Sequence, residues 1–174
     1  MPAMATLVLT ALGDDRPGLV AAISGAINDR GGSWEQSHFS ELAGKFAGIV
    51  VLSVPDGEAD ALAAHLLALQ DDGLQVHVER TDPPVDEDAV TFELELVGAD
   101  RPGIISEISA LLASHRVSIE DLVTELVDAP MGGGRLFEAR AVLVAPESAS
   151  ADGLREALEA LADRLMVDVH LSLD

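Results

Sequence analysis

Hydrophobic and polar residues follow the same succession of patterns twice along the chain. An apolar run typical of a buried strand precedes apolar residues at helical spacing, two further strand-like runs, a second helical pattern and a final alternating run. In the first half these segments are residues 6–12, 19–27, 34–42, 46–54, 59–69 and 74–79. In the second half they are residues 90–97, 104–112, 118–127, 136–144, 154–161 and 167–174. Each half is therefore predicted to run strand, helix, strand, strand, helix, strand.

That order is the one found in the split βαβ, ferredoxin-like arrangement, an α+β fold. Two helices cover one face of a four-stranded antiparallel sheet. The pattern predicts one such βαββαβ unit at residues 1–80 and a second at residues 90–174. The segment between them, residues 81–89, contains Pro83-Pro84 and four acidic residues, which favours a linker.

A short motif appears once in each half, between the first strand and the first helix. Gly13-Asp14-Asp15-Arg16-Pro17-Gly18 returns as Gly98-Ala99-Asp100-Arg101-Pro102-Gly103, at an offset of 85 residues. A motif that returns at the same structural position indicates an internal repeat. The copies differ where Asp14 is replaced by Ala99, which raises the hypothesis that the two sites differ and that one is silent.

The motif also predicts how each first helix begins. An arginine before a proline is held in extended backbone, and Pro17 and Pro102 suit the first helical position. We expect the carboxylates of Asp15 and Asp100 to accept hydrogen bonds from free amides there, where the helix dipole favours negative charge. Two interpretations remain open. Either the motif only starts a helix tightly, or uncovered amides beside two glycines bind a ligand carboxylate.

The second interpretation defines the candidate ligand-binding residues. They are the motif residues and the first apolar residue after each motif: Gly13, Asp14, Asp15, Arg16, Pro17, Gly18 and Leu19, and Gly98, Ala99, Asp100, Arg101, Pro102, Gly103 and Ile104.

Charge and composition narrow the possible partners. The formal net charge of −21 disfavours direct binding to nucleic acid or to an anionic membrane, both of which need a basic surface. There is no cysteine, so disulfides and thiol catalysis are excluded. Residues 1–6 lack the features of a signal peptide, and no apolar run approaches the roughly 20 residues that span a bilayer. We therefore expect a cytoplasmic protein.

No catalytic constellation is visible in the sequence. The five histidines show no metal-ligand spacing, no Gly-x-Ser-x-Gly occurs, and Gly132-Gly133-Gly134 lacks the Lys-Ser/Thr of a phosphate loop. We predict no enzyme activity, no metal and no cofactor. Trp34 is either a core residue or part of a ligand site. Four polar residues at equivalent strand positions either contact a ligand ammonium group or are solvated: Glu35, Gln36, Glu120 and Asp121.

A tandem of βαββαβ units, each with Asp-Arg-Pro-Gly after its first strand, resembles a pair of ACT domains. Nearly the whole chain is similar to the glycine cleavage system transcriptional repressor family. The resemblance implies a non-enzymatic regulatory protein that binds a small amino acid, such as glycine, beside the motif. It also implies units that pair edge to edge, a homodimer, and a DNA-binding activator as protein partner.

Two other functions stay open. An orphan ACT protein or regulatory subunit would control an enzyme of amino-acid metabolism. A purely structural dimerisation module would leave both sites empty.

Overall fold

The computed structural model describes residues 3–82 and 88–173 and divides the chain into two compact units, Met1–Pro84 and Val85–Asp174. Each unit has the predicted element order, so the α+β ferredoxin-like βαββαβ fold class is confirmed. The predicted boundaries at residues 80 and 90 stay a prediction. Most of the predicted linker, residues 83–87, lies outside the described residues.

The elements of unit 1 are β1 Met4–Asp14, α1 Leu19–Asp29, β2 Ser33–Leu42, β3 Lys45–Pro55, α2 Ala59–Leu67 and β4 Gln75–Thr81. Those of unit 2 are β5 Ala89–Ala99, α3 Ile104–Ser114, β6 Ser118–Asp128, β7 Arg135–Pro146, α4 Ala151–Leu165 and β8 Val167–Leu173. Short 3₁₀ segments occupy Asp56–Glu58, Ala68–Asp72 and Pro130–Gly132. The second of these replaces the predicted last turn of α2, because the chain turns through left-handed Gly73 into β4.

Both sheets are antiparallel and have the same topology. The strand orders are β2-β3-β1-β4 and β6-β7-β5-β8, so β2 and β6 are equivalent edge strands. Each of these edges carries a bulge at the same place in the repeat, between Trp34 and Gln36 in β2 and between Ile119 and Asp121 in β6. The repeat therefore extends from the motif to the irregularities of the sheet.

The core of each unit lies between one sheet face and its two helices. Among the described residues, the buried core residues are aliphatic apart from Phe92 in unit 2. In unit 1, Trp34 is half-buried and belongs to an aromatic stack at the core margin. Its ring centroid is 5.9 Å from that of Phe39, which is 5.1 Å from that of Phe46. Trp34 thus packs against the core. Among the described residues, no helix is long and apolar enough to cross a membrane.

Gly98, one of the motif glycines, is required by packing. A Cβ at Gly98 would stand 2.3 Å from Val167 Cγ1 and 3.1 Å from the Val167 Cα, so the backbone of β8 would have to move. We expect Gly98→Ala to lower the free energy of unfolding by about 1–3 kcal/mol, the usual cost of overpacking a core.

The matched control is Gly25→Ala, in the middle of α1, where a Cβ meets no atom within 4 Å. Alanine is the better helix former, so this substitution should stabilise the protein by about 0.4–1 kcal/mol. Urea unfolding of both variants is the measurement. A Gly98→Ala variant as stable as the wild type would contradict the packing argument.

Candidate functional site

In both units the motif begins inside the first strand and leaves the sheet at an equivalent point. Gly13 and Asp14 are the last residues of β1, and Gly98 and Ala99 are the last residues of β5. The next amide is tied to the neighbouring hairpin. The N–H of Asp15 donates to the Gly44 carbonyl at 2.9 Å, and the N–H of Asp100 donates to the Arg135 carbonyl at 3.1 Å.

The helices begin one residue after the motif ends, which corrects the predicted position of the prolines. Gly18 and Gly103 are the N-cap residues, with φ of 94° and 96°. Pro17 and Pro102 therefore precede the N-cap and do not occupy the first helical position. This left-handed backbone explains the glycine in the motif, because a Cβ there would clash with the following backbone.

The expected capping by Asp15 and Asp100 is also wrong. Neither N-cap position has a side-chain hydrogen bond, and both aspartates are exposed. The left-handed glycine leads the chain into the helix without needing an aspartate cap. The first bonds of the helices are those from the N–H groups of Ala22 and Glu107 to the carbonyls of Gly18 and Gly103, both at 2.9 Å.

The amides of the first three helical residues in α1 and in α3 therefore have no side-chain cap. In unit 1 the side of the N-cap where a Cβ of Gly18 would stand is open, since no atom outside residues 17–19 lies within 4 Å of that point. Uncovered amides at the positive end of the helix dipole suit an anion. The geometry is thus compatible with the predicted carboxylate site, which stays a prediction.

The two motif arginines make different contacts. In unit 1, Arg16 Nη2 donates to the backbone carbonyl of Asp72 at 2.6 Å. In unit 2, Arg101 Nη2 lies 3.7 Å from Glu107 Oε1, in the first turn of α3, and Arg164 Nη2 lies 3.3 Å from Glu107 Oε2. The Nε of Arg101 is buried and has no hydrogen-bond partner in the described part of the chain.

Asp14 also distinguishes the units. Its exposed carboxylate accepts a hydrogen bond from Lys45 Nζ, at the start of β3. This hydrogen bond and the positive charge of Lys45 lower the pKa of Asp14. Ala99, its counterpart in unit 2, cannot form such a pair.

The structure brings each set of seven predicted residues together, but none of the unit 1 set lines the large groove of that unit. That open groove has a volume of about 820 Å³ and is lined by Leu12, Gly73 and Gln75, among others. It reaches the junction through Gly73, next to the Asp72 carbonyl that holds Arg16.

Sequence reasoning missed the contact residues Lys45, Asp72, Glu107 and Arg164. Asp72 acts through its backbone and is 56 residues from Arg16, so no side-chain pattern signals it. Glu107 could have been found by aligning the halves, because Ala22 stands at the equivalent position.

The four polar residues considered for a ligand ammonium group lie on the edge strands. Glu35 and Glu120 are the extra residues of the two bulges, with Gln36 and Asp121 next to them. Their predicted ligand role stays a prediction. Within residues 3–82 and 88–173, no group of three or more His, Cys, Asp or Glu could hold a metal ion.

Comparison with known proteins places this geometry in a family. The ACT domain profile matches residues 5–79 and 92–172, one match in each unit. A curated relative, the glycine cleavage system transcriptional repressor of Escherichia coli strain K12, is 30% identical over 165 residues, which cover 91% of this chain and 85% of the repressor.

Two crystal structures share the fold over nearly their whole length. A protein of unknown function from Galdieria sulphuraria has a TM-score of 0.89 at 27% identity, with 99% of each chain covered. A candidate glycine cleavage system transcriptional repressor has a TM-score of 0.72 at 20% identity, with 98% of each chain covered, and supports the fold alone. The chain belongs to the ACT domain family and, within it, to the family of the glycine cleavage system transcriptional repressor.

Proposed function

We propose that this protein is a non-enzymatic regulator that senses a small amino acid, such as glycine, at its strand-to-helix junctions. One observation carries the proposal. The amides that begin α1 have no side-chain cap, the side of Gly18 where a Cβ would stand is open, and Arg16 lies two residues before this N-cap. Neutral amides can hold a carboxylate even on a protein with a formal net charge of −21.

Each ligand group has a candidate partner in unit 1. The carboxylate would accept hydrogen bonds from the helix amides and from Arg16, which is held in place by the Asp72 carbonyl. Asp15 is exposed and caps no helix, so its carboxylate suits the ligand ammonium group. Asp14 is already neutralised by Lys45, which reduces local repulsion of an anion.

The size of the ligand limits the affinity. Glycine has about five heavy atoms, and the ceiling near −1.5 kcal/mol per atom allows about −7 kcal/mol at most. That free energy corresponds to a Kd no tighter than micromolar, and an average site would bind more weakly. Such affinities suit a sensor of metabolite pools.

The regulatory output requires a partner. The Escherichia coli relative is named a transcriptional repressor. The charge of −21 disfavours direct contact with DNA, so we propose that this chain acts on transcription through a DNA-binding activator protein.

We further propose that two copies pair through β6. This edge strand has 11 residues, and an unpaired edge of that length is a template for another strand. On its helix-facing side, Ile119, Leu122 and Leu126 are 37%, 42% and 44% exposed. The corresponding positions of β2 hold Trp34, Ser37 and Glu41, which are less apolar overall.

A register centred on Thr124 suits this pairing. Two antiparallel β6 strands would then place Leu122 opposite Leu126 of the other copy on one face. On the other face Val123 would stand opposite Glu125, so the two Glu125 carboxylates would not be directly opposed.

Amino-acid binding is tested by calorimetry with a panel of amino acids on the wild type and on Arg16→Met. Removing a hydrogen bond to a charged group costs about 1.5–3 kcal/mol, so the variant should bind about 10–100-fold more weakly. Arg30→Met, at the other end of α1, is the matched control and should bind like the wild type. The proposal fails if no amino acid binds the wild type at about 10 mM, a concentration well above a millimolar Kd.

The edge pairing is tested by a single cysteine, because the native chain has none. Thr124→Cys should form an intermolecular disulfide on mild oxidation, since opposed Cβ atoms in an antiparallel pair lie about 4.5–5.5 Å apart. Ser40→Cys, exposed on β2, serves as the control and should stay monomeric on a non-reducing gel. If Ser40→Cys cross-links efficiently and Thr124→Cys does not, the copies pair through β2 and the proposed pairing through β6 is wrong.

A further inference from the structure

The two junctions differ in the residue that faces the helix start from the first turn. In unit 2 this residue is Glu107, the fourth residue of α3. Its Oε1 lies 3.9 Å from where a Cβ of Gly103 would stand and 3.7 Å from Arg101 Nη2. In unit 1 the fourth residue of α1 is Ala22, which has no polar side chain.

Glu107 therefore brings a carboxylate to the place where a ligand carboxylate is expected. Side chains on a helix lean towards its N-terminus, so a residue in the first turn reaches back over the free amides. The helix dipole favours a negative charge there. Two arginines hold the group, Arg101 at Oε1 and Arg164 at Oε2, the latter at 3.3 Å.

Unit 1 lacks such a group. Among the described residues, no carboxylate lies within ion-pair distance of Arg16, whose Nη2 donates to a backbone carbonyl. The arginine of unit 1 can thus meet an incoming anion, while Arg101 already faces one.

We propose that Glu107 occupies the carboxylate position of the unit 2 junction, so that a small amino acid binds at unit 1 alone. This inference rests on the proposed function. It assigns one ligand to each chain although Arg-Pro-Gly is the same in both motifs.

A half-exposed ion pair is weak, but it is strong enough to exclude a ligand that itself binds weakly. Glu107 is 42% exposed, which limits the strength of its contacts with the two arginines. However, it is part of the same chain, and a tethered group competes at an effective concentration in the millimolar range or above. A free amino acid at a similar concentration would also be repelled by the negative charge of Glu107.

Exchanging the two residues tests the proposal. Calorimetry with glycine and the other small amino acids should give one site per chain for the wild type. Glu107→Ala copies the arrangement of unit 1 and should give two sites. Ala22→Glu copies unit 2 on an exposed helical position and should weaken binding at least about tenfold. The double variant should regain one site, now in unit 2.

The matched control is Glu159→Ala, which removes an exposed carboxylate from α4 and should leave one site per chain. Thermal unfolding of every variant checks that it is folded. Two sites in the wild type, or one site in Glu107→Ala, would overturn the role of Glu107 and leave the proposed function standing. No binding in the wild type and in Glu107→Ala would overturn both.

Discussion

The left-handed backbone of Gly18 and Gly103 determines the shape of both strand-to-helix junctions. At φ near 95° the chain turns sharply enough for the helix to start at the very next residue. The preceding amide is tied to the adjacent hairpin, through Gly44 in unit 1 and Arg135 in unit 2. Because glycine carries no side chain, the N-cap residue itself covers none of the first amides of the helix. A glycine at the N-cap thus explains both the left-handed backbone and the lack of a side-chain cap on the helix amides.

The two units show how a duplicated unit can keep its backbone while its surfaces diverge. Sheet order, bulge position and junction geometry are shared. Unit 1 adds the aromatic stack of Trp34, Phe39 and Phe46 at the core margin, where unit 2 has Ile119 and Thr124 at the first two positions. At the junctions, unit 1 has Asp14 and Ala22 where unit 2 has Ala99 and Glu107. The differences thus include side chains that a ligand or a second copy would contact.

Much of the fold could be predicted from the sequence, because periodic apolar residues and a repeated motif report local structure directly. The position of Pro17 relative to the N-cap could not, since a proline suits both the first helical position and the residue before the N-cap, and the left-handed φ of Gly18 decides between them. Arg16 meets Asp72 only through the tertiary fold, which brings the turn before β4 next to the motif. Glu107 was visible as a difference between the aligned halves, but its contact with Arg101 needed the structure.

The central claim is that the junction of unit 1 binds a carboxylate and that of unit 2 does not. Titration of the ¹⁵N-labelled protein with glycine, followed by two-dimensional NMR, tests it at individual amides. The account predicts saturable shifts for the amides of Leu19, Val20 and Ala21, and no comparable shifts for those of Ile104, Ile105 and Ser106. Equal shifts at both helix starts, or shifts confined to α3, would contradict it.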